Sequence, residues 1–298
     1  MATIGFIGLG NMGGPMAANL VKAGHRVTGF DLVSAALEAA EAAGVAIAAS
    51  PAEAVAGAEI VVTMLPSGKH VLGVYDGPQG IIAAVEPGTL LIDSSTIDVE
   101  SARKAHALAA AKGTDALDAP VSGGVGGALA GTLTFMVGGG ADAFARAEAI
   151  LAAMGTKIVH CGDAGAGQAA KICNNMILGI SMIAVSEAFV LAEKLGLSQQ
   201  ALFDVSSTSS GQCWSLTTYC PVPGPVPTSP ANRDYQPGFA AALMLKDLIL
   251  SQDAAASAGA TTPLGAAATR LYAAMVDAEQ GGVDFSGIVN RLRAGAIA

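Results

Sequence analysis

The residues most able to do chemistry lie in the segment 168–175, QAAKICNN, where a lysine stands among small and apolar residues. On a helix, Lys171 and Asn175 share a face, and Asn174 adjoins it. Gly167, one turn earlier, would leave room for a ligand. A lysine in an apolar helix usually keeps its ammonium group in water, which is the alternative here. The two neighbouring amides favour a polar pocket instead, where a partly buried lysine gives up its proton more easily and suits acid–base catalysis.

A glycine-rich turn near the start of the chain could bind a phosphate group. The segment GFIGLGNMG, residues 5–13, follows a short apolar run and opens a predicted helix. Gly8, Gly10 and Gly13 have the GxGxxG spacing, in which the glycines permit a tight turn, close approach of a pyrophosphate, and close packing of helix on strand. The free N–H groups at the helix start would then face the phosphates.

The second predicted strand ends in GFDL and places an acid where a dinucleotide site needs one. A carboxylate at Asp31 can accept hydrogen bonds from both ribose hydroxyls of NAD and would repel a 2′-phosphate. Leu32 supplies no arginine for such a phosphate. The alternative is a glycine turn that binds nothing, but the order of strand, turn, helix, strand and acid favours an NAD site.

A second glycine-rich segment, DAPVSGGVGGALAGTL at 118–133, follows another predicted strand. It could be a flexible connection, since glycine-rich segments often are. Alternatively, Ser122 and the backbone N–H groups of Gly123 and Gly124 could hold a small anion, because backbone donors in a concave turn bind carboxylates without a basic side chain. The residues alone leave both interpretations open.

A second lysine interrupts an apolar helical run in LMLKDLILSQD, 243–253. Lys246 and Asp247 could form a solvated pair at the helix edge. The alternative is that Lys246 reaches a cofactor while Asp247 supports the site.

Composition excludes several classes of function. The chain of 298 residues has a formal net charge of −9 and only 15 Lys plus Arg, so it lacks the basic face that nucleic acid requires. The spacing of its four cysteines predicts free thiols in a reducing cytosol, with no metal site. The N-terminus lacks the features of a secretory signal. The apolar run 176–192 is interrupted by polar residues and is short for a membrane span, which favours a buried core helix.

The sequence pattern divides the chain in two. Residues 1–163 alternate short β-branched runs with Ala-rich helical stretches, which predicts βαβ units and a mostly parallel, doubly wound α/β sheet. Residues 164–298 are predicted to be all helical, beginning with a long linking helix over about 164–194. The segment 219–238 holds six of the 13 prolines and is predicted to be a polyproline-like surface loop that borders a functional site.

Four segments together resemble the β-hydroxyacid dehydrogenase family over essentially the whole chain. They are similar, in order, to its cofactor, substrate and catalytic signatures and to its fourth block: GFIGLGNMGGPMAANL, DAPVSGGVGGALAGTL, GDAGAGQAAKICNNM and KDLILSQD. SSGQCWS, 209–215, and the proline-rich segment resemble the 3-hydroxyisobutyrate dehydrogenase group more than the glyoxylate or tartronate semialdehyde reductases. The resemblance implies a Rossmann-type NAD-binding domain followed by an all-helical substrate and dimerisation domain.

The resemblance also implies roles for individual residues. Lys171 would be the catalytic acid–base. The substrate, a small carboxylate, would contact Ser122, Gly123, Gly124 and Asn175, with Asn174 close by. Apart from the resemblance, Trp214 and Asp247 are candidates for the same substrate pocket. The NAD site would be formed by Gly8, Gly10, Asn11, Met12, Gly13, Asp31, Leu32, Leu65, Pro66, Thr96, Phe239 and Lys246.

The family resemblance implies a homodimer or homotetramer. The charge, cysteine usage and hydropathy predict a cytoplasmic protein that binds neither nucleic acid nor membrane. The expected reaction is NAD-dependent oxidation of 3-hydroxyisobutyrate in valine breakdown. Three alternatives stay open: a relative acting on serine, tartronate semialdehyde or succinic semialdehyde; a 6-phosphogluconate dehydrogenase; and a nicotinamide-binding module without turnover.

Overall fold

The computed structural model describes residues 1–77 and 80–296 and divides the chain into two compact units. The first unit comprises Met1–Lys171 and the second Ile172–Ala298. Their boundary falls inside a 29-residue helix, Ala166–Lys194.

The first unit is a sheet flanked by helices. Among its described residues the strands are β1 Thr3–Ile7, β2 Arg26–Phe30, β3 Ala46–Ile47, β4 Ile60–Thr63, β5 Leu90–Asp93, β6 Asp115–Asp118, β7 Val121–Ser122, β8 Leu133–Gly138 and β9 Gly155–Gly162. The helices are α1 Gly13–Lys22, α2 Ser34–Ala42, α3 Pro51–Val55, α4 Gly68–Tyr75, α5 Ile81–Ala84, α6 Val99–Lys112, α7 Gly124–Ala130 and α8 Ala141–Leu151.

The strand order is β3-β2-β1-β4-β5-β6-β8-β7, with β9 paired to β8. The pairs from β3 through β6 are all parallel, whereas β8 is antiparallel to β6 and β7. The first six strands therefore have the order typical of dinucleotide-binding domains. The α/β, doubly wound prediction is confirmed. The pattern missed β3 and β7, because two residues are too few for an alternation to show.

Both faces of the central strands are covered. In β4, Ile60 and Val62 belong to one apolar cluster and Val61 to another. Successive side chains of a strand point to opposite faces, so each cluster lies on one face of the sheet. This burial on both faces is typical of parallel sheets flanked by helices. It holds the carboxyl ends of the strands, where loops can bind ligands, on a rigid base.

The second unit is helical, as predicted. It contains the larger part of α9 Ala166–Lys194, together with α10 Gln199–Ser206, α11 Trp214–Thr217, α12 Ala241–Ala258, α13 Pro263–Met275 and α14 Ile288–Arg293. Helix α9 is long and apolar enough to span a membrane by length and composition alone, and 44% of its most apolar window is buried in the fold. Within the unit, Met182 and Phe189 of this helix are fully buried in two apolar clusters.

The proline-rich segment 219–238 is not purely a surface loop. Cys220 and Val222 are fully buried in an apolar cluster of the second unit. The Ser229 hydroxyl donates to the Cys220 carbonyl at 2.6 Å, and the Tyr235 hydroxyl donates to the Pro221 carbonyl at 2.9 Å. Apolar residues beside the prolines, which the sequence pattern assigns to a loop, thus form part of the core.

Candidate active site

The three glycines of the first turn have three different roles. Gly8 has a φ of +94°, and a Cβ atom there would collide with the Met64 carbonyl oxygen. A Cβ atom at Gly13 would collide with the Gly8 carbonyl, so only glycine lets α1 pack this close to the turn. A Cβ atom at Gly10 would meet nothing within 4 Å. The space above Gly10 is open, which fits a pyrophosphate lying on the backbone.

The acid after β2 is held beside this turn. Asp31 Oδ2 accepts a hydrogen bond from the Leu9 N–H at 2.6 Å, and Oδ1 accepts one from the Val33 N–H at 2.9 Å. The neighbouring Leu32 is 89% exposed. Asn11 is exposed and Met12 is half-buried in the turn itself. A fixed carboxylate next to the glycine turn is what the ribose of NAD requires.

The loops after β4 and β5 are tied together by a buried carboxylate. Asp93 Oδ1 accepts hydrogen bonds from the Thr63 hydroxyl at 2.7 Å and the Ser95 hydroxyl at 2.6 Å. The same Ser95 oxygen accepts the Leu65 N–H at 2.8 Å. Burial raises the pKa of the Asp93 carboxyl to about 6, although these hydrogen bonds oppose the shift. By resemblance, DSST at 93–96 is a cofactor loop of which only Thr96 is a predicted site residue, and the contacts by which Asp93 and Ser95 tie the two loops become visible only in the fold.

The predicted cofactor residues of the first unit therefore meet along one edge of the sheet. The glycine turn follows β1, Asp31 follows β2, Leu65 and Pro66 follow β4, and Thr96 follows β5. These four strands are neighbours, and the strand order reverses between β1 and β4. Dinucleotides bind at such a reversal in open α/β sheets. The fold and these residues define a Rossmann-type, NAD-binding oxidoreductase.

The predicted anion-binding turn lies at the end of β7. Ser122 is half-buried, and Gly123 and Gly124 have φ values of +135° and +61°. Two successive residues with positive φ strongly favour glycine. The second glycine-rich segment is therefore no flexible connection, since residues 124–130 form α7.

Lys171 lies in the second turn of α9 and is 7% exposed. The alternative in which its ammonium group projects into water does not agree with this burial. The suggestion that Gly167 leaves room for a ligand is wrong. A Cβ atom at Gly167 would collide with the carbonyl oxygens of Met136 and Asp118, so its space is filled by the backbone of β8 and β6.

The predicted polar residues of the second unit form a connected group. Asn175, 2% exposed, donates from Nδ2 to Asp247 Oδ2 at 2.5 Å and accepts from Asn174 Nδ2 at 3.0 Å. Lys246 Nζ lies 3.3 Å from Asp247 Oδ1, an ion pair without hydrogen-bond alignment. Asp247 is 3% exposed, so a solvated pair at the helix edge is excluded.

Aromatic rings form a second group in this unit. Trp214, 49% exposed, stacks on Tyr219 with ring centroids 4.9 Å apart, and Tyr219 stacks on Phe285 at 5.3 Å. Phe239 meets Phe285 edge-on. The buried Asp284 fixes this arrangement, because its Oδ2 accepts the Tyr219 hydroxyl at 2.8 Å and the Phe239 N–H at 3.1 Å. Sequence inspection missed Asp284, which stands alone in VDFSG without a motif.

Comparison with known proteins identifies the family. Residues 3–162 match the model described as the NAD binding domain of 6-phosphogluconate dehydrogenase. Residues 165–292 match the model described as NAD-binding of NADP-dependent 3-hydroxyisobutyrate dehydrogenase. The chain therefore has the two domains of a β-hydroxyacid dehydrogenase.

Individual relatives show to which group within this family the chain belongs. The chain is 57% identical over 296 residues to a probable 3-hydroxyisobutyrate dehydrogenase of Mycobacterium tuberculosis, covering 99% of each chain. A solved structure titled Mycobacterium tuberculosis 3-hydroxyisobutyrate dehydrogenase with L-serine matches with a TM-score of 0.94, covering 98% of this chain and 99% of the other. An NAD-dependent L-serine dehydrogenase of Pseudomonas aeruginosa is 48% identical over 292 residues, covering 98% of each chain. The chain belongs to the 3-hydroxyisobutyrate dehydrogenase family.

Proposed function

We propose that the protein oxidises 3-hydroxyisobutyrate to methylmalonate semialdehyde with NAD, using Lys171 as general acid–base. The observation that carries this proposal is the burial of Lys171 at 7% exposure, in the helix that follows an NAD-binding sheet. An amine enclosed beside the cofactor sheet is placed to exchange a proton with a substrate hydroxyl out of reach of bulk water. The choice of substrate is supported by the names of the relatives and by the motif SSGQCWS.

The proposed mechanism assigns one task to each residue. Ser122 and the N–H groups of Gly123 and Gly124 hold the substrate carboxylate. Lys171 accepts the proton of the substrate hydroxyl during oxidation and returns it to the developing alkoxide during reduction. Bound NAD would supply the acceptor for the hydride of the carbinol carbon. Loss of one proton and one hydride converts the primary alcohol into the aldehyde.

Asn175 is assigned the orientation of the substrate hydroxyl. Its amide is fixed at both ends, by Asp247 at Nδ2 and by Asn174 at Oδ1. An amide NH₂ group has two N–H donors, so one remains for the substrate. A fixed donor loses little entropy on binding, which favours catalysis by orientation.

The proposal also includes the metabolic pathway, the cellular location and the oligomeric state. Oxidation of 3-hydroxyisobutyrate is a step of valine breakdown, and we propose that the protein performs it in the cytoplasm as a homodimer or homotetramer. Size-exclusion chromatography with light scattering would measure the oligomeric state.

L-Serine is a second candidate substrate. A relative named NAD-dependent L-serine dehydrogenase is 48% identical, and a structure titled with L-serine is 57% identical. Asp247 Oδ1 is buried and lacks an aligned hydrogen bond among the described residues. That oxygen is able to accept one from an ammonium group. Serine carries such a group where 3-hydroxyisobutyrate carries a methyl.

A steady-state assay tests the proposal directly. Purified protein with NAD and 3-hydroxyisobutyrate should form NADH, measured by its absorbance. Absence of turnover with 3-hydroxyisobutyrate, serine and glycerate, in protein that still binds NADH, would instead indicate a nicotinamide-binding module.

A further inference from the structure

Gln168 joins the loop after β5 to the first turn of α9. Its side chain is fully buried. Nε2 donates to the Ser95 carbonyl at 2.7 Å, and Oε1 accepts the Ile97 N–H at 3.1 Å. One amide thus satisfies the backbone on both sides of Thr96, which is itself half-buried. The contact therefore ties the backbone of the two residues that flank Thr96 to the helix.

The start of α9 is fixed to the sheet as well. Asp118 is 1% exposed, and its two oxygens accept the Gly165 N–H at 2.8 Å and the Gln168 N–H at 2.9 Å. A carboxylate at this place caps the helix and favours its dipole. His106 Nε2 lies 3.0 Å from the same carboxylate. The main chain of Gln168 is therefore held by β6 while its side chain holds the loop after β5.

Lys171 follows Gln168 by three residues, so the two lie on adjoining faces of the same helix. We propose that Gln168 is a positioning residue. It holds the cofactor loop around Thr96 at a fixed position relative to the amine of Lys171. The part concerning Lys171 rests on the proposed function. The part concerning the loop rests only on contacts within the first unit.

The side chain suits this task because an amide offers a donor and an acceptor at one fixed spacing. Methionine has a similar volume and neither group. In Gln168→Met, the Ser95 carbonyl and the Ile97 N–H would lose their buried partner, and the loop would move to find others. A shift of about 1 Å at a reacting centre costs roughly 100-fold in rate.

The first experiment measures the loop itself, without turnover. Hydrogen exchange of the Ile97 amide in the unliganded protein should be at least about tenfold faster in Gln168→Met than in the wild type. The dissociation constant of NADH, measured by its fluorescence, should rise about tenfold. The kcat should fall roughly 10- to 100-fold, with the substrate KM within about threefold.

Gln252→Met is a matched control. Gln252 also uses both ends of its amide, donating to the Ser251 hydroxyl and accepting from the Thr262 hydroxyl, each at 3.1 Å. It lies in the second unit and has no proposed role at the site. This variant should leave Ile97 exchange, NADH affinity and kcat unchanged.

Gln168→Glu gives an independent test that also serves if Gln168→Met fails to fold. Burial raises the pKa of a carboxyl, and the protonated acid can donate to the Ser95 carbonyl while the carboxylate cannot. NADH affinity of this variant should therefore improve as the pH falls from 8 to 5.5, relative to the wild type.

Two results would overturn the proposal. If Gln168→Met lowers the melting temperature but leaves NADH affinity and kcat unchanged, the residue is merely structural. Unchanged Ile97 exchange contradicts the contact itself. If the wild type turns over none of the 3-hydroxy acids, the proposed function fails, while exchange and NADH binding still decide the role of Gln168.

Discussion

Asn175 donates from Nδ2 to Asp247 Oδ2 at 2.5 Å, and both side chains are buried in the helical unit. This contact fixes the orientation of the Asn175 amide, in which Nδ2 faces Asp247 and Oδ1 faces Asn174. Lys246 stands on the other side of the carboxylate, 3.3 Å from Oδ1. Asp247 therefore orients the Asn175 amide and also forms an ion pair with Lys246.

Replacing Asp247 should reduce activity in a graded manner. Asp247→Leu leaves the Asn175 amide donor unsatisfied, at a cost of about 1–3 kcal/mol, and frees the amide to turn. We expect kcat/KM to fall roughly 10- to 100-fold in Asp247→Leu and less in Asp247→Asn, which retains an acceptor. Asp253→Asn, an exposed acid on the same helix, is the control. Equal activity of all three variants would contradict the assignment.

Removing the Lys171 amine should abolish most turnover. We expect Lys171→Ala to lower kcat by roughly 10²- to 10⁴-fold, the range for loss of a general acid–base group. NADH affinity should change little, because the proposed role of the amine is at the substrate. Lys104→Ala, which removes an exposed lysine paired with Glu100, should behave as wild type. Near-normal turnover in Lys171→Ala would refute the mechanism.

Cofactor preference should depend on Asp31. Its carboxylate would repel the 2′-phosphate of NADP, so we expect a strong preference for NAD in kcat/KM. Asp31→Ser combined with Leu32→Arg should relax or reverse that preference, because arginine binds phosphate well. Since Asp31 also accepts the Leu9 N–H, the variant should lose some stability as well. Equal use of both cofactors by the wild type would show that Asp31 does not select.

Among 3-hydroxy acids, 3-hydroxyisobutyrate should be preferred. If its methyl group lies against apolar side chains such as Trp214 and Phe239, an ammonium or hydroxyl there would lack partners. One group of this size is worth only about 1–3 kcal/mol, so serine should still react measurably. The test compares kcat/KM for 3-hydroxyisobutyrate, L-serine and glycerate. A larger value for serine would assign Asp247 to the substrate ammonium.

Stability should depend on the titration of Asp93. Burial raises the pKa of this carboxyl from 3.8 to about 6, so the folded state holds the proton more tightly than the unfolded state. The contribution of Asp93 to stability is thus full below pH 4 and falls as the pH rises through 6. In Asp93→Asn that loss is absent.

Urea unfolding of the unliganded protein measures the effect. The free energy of unfolding of Asp93→Asn relative to the wild type should increase by ~2–3 kcal/mol between pH 4 and pH 8. A pH-independent difference between the two proteins would show that Asp93 has an ordinary pKa in the folded state.

Elements with a repeating pattern could be predicted from the sequence. The strands β1, β4 and β5 have short apolar runs, and β2 has alternating burial. Gly8, Gly10 and Gly13 have the spacing that a single phosphate-binding turn requires. Both signals are local. A strand of two residues, such as β3, has no period and owes its existence to a neighbouring strand.

Contacts between distant segments could not be predicted. Gln168 and Ser95 are 73 positions apart, and Asn175 and Asp247 are 72 apart. Gln168, Ser95 and Asp247 are ordinary polar residues in their own segments, and only the fold shows which partner each one has. The sequence predicts Asn175 as a site residue by resemblance, whereas the partner that orients its amide becomes visible only in three dimensions.

Trp214, which stacks on Tyr219, gives the protein an intrinsic fluorescent probe. The chain has a single tryptophan, and that indole is 49% exposed. When excitation is restricted to wavelengths that tyrosine does not absorb, the emission therefore comes from one place, in the helical unit. Quenching by iodide would measure how far any added hydroxy acid shields this ring, without a label and without turnover.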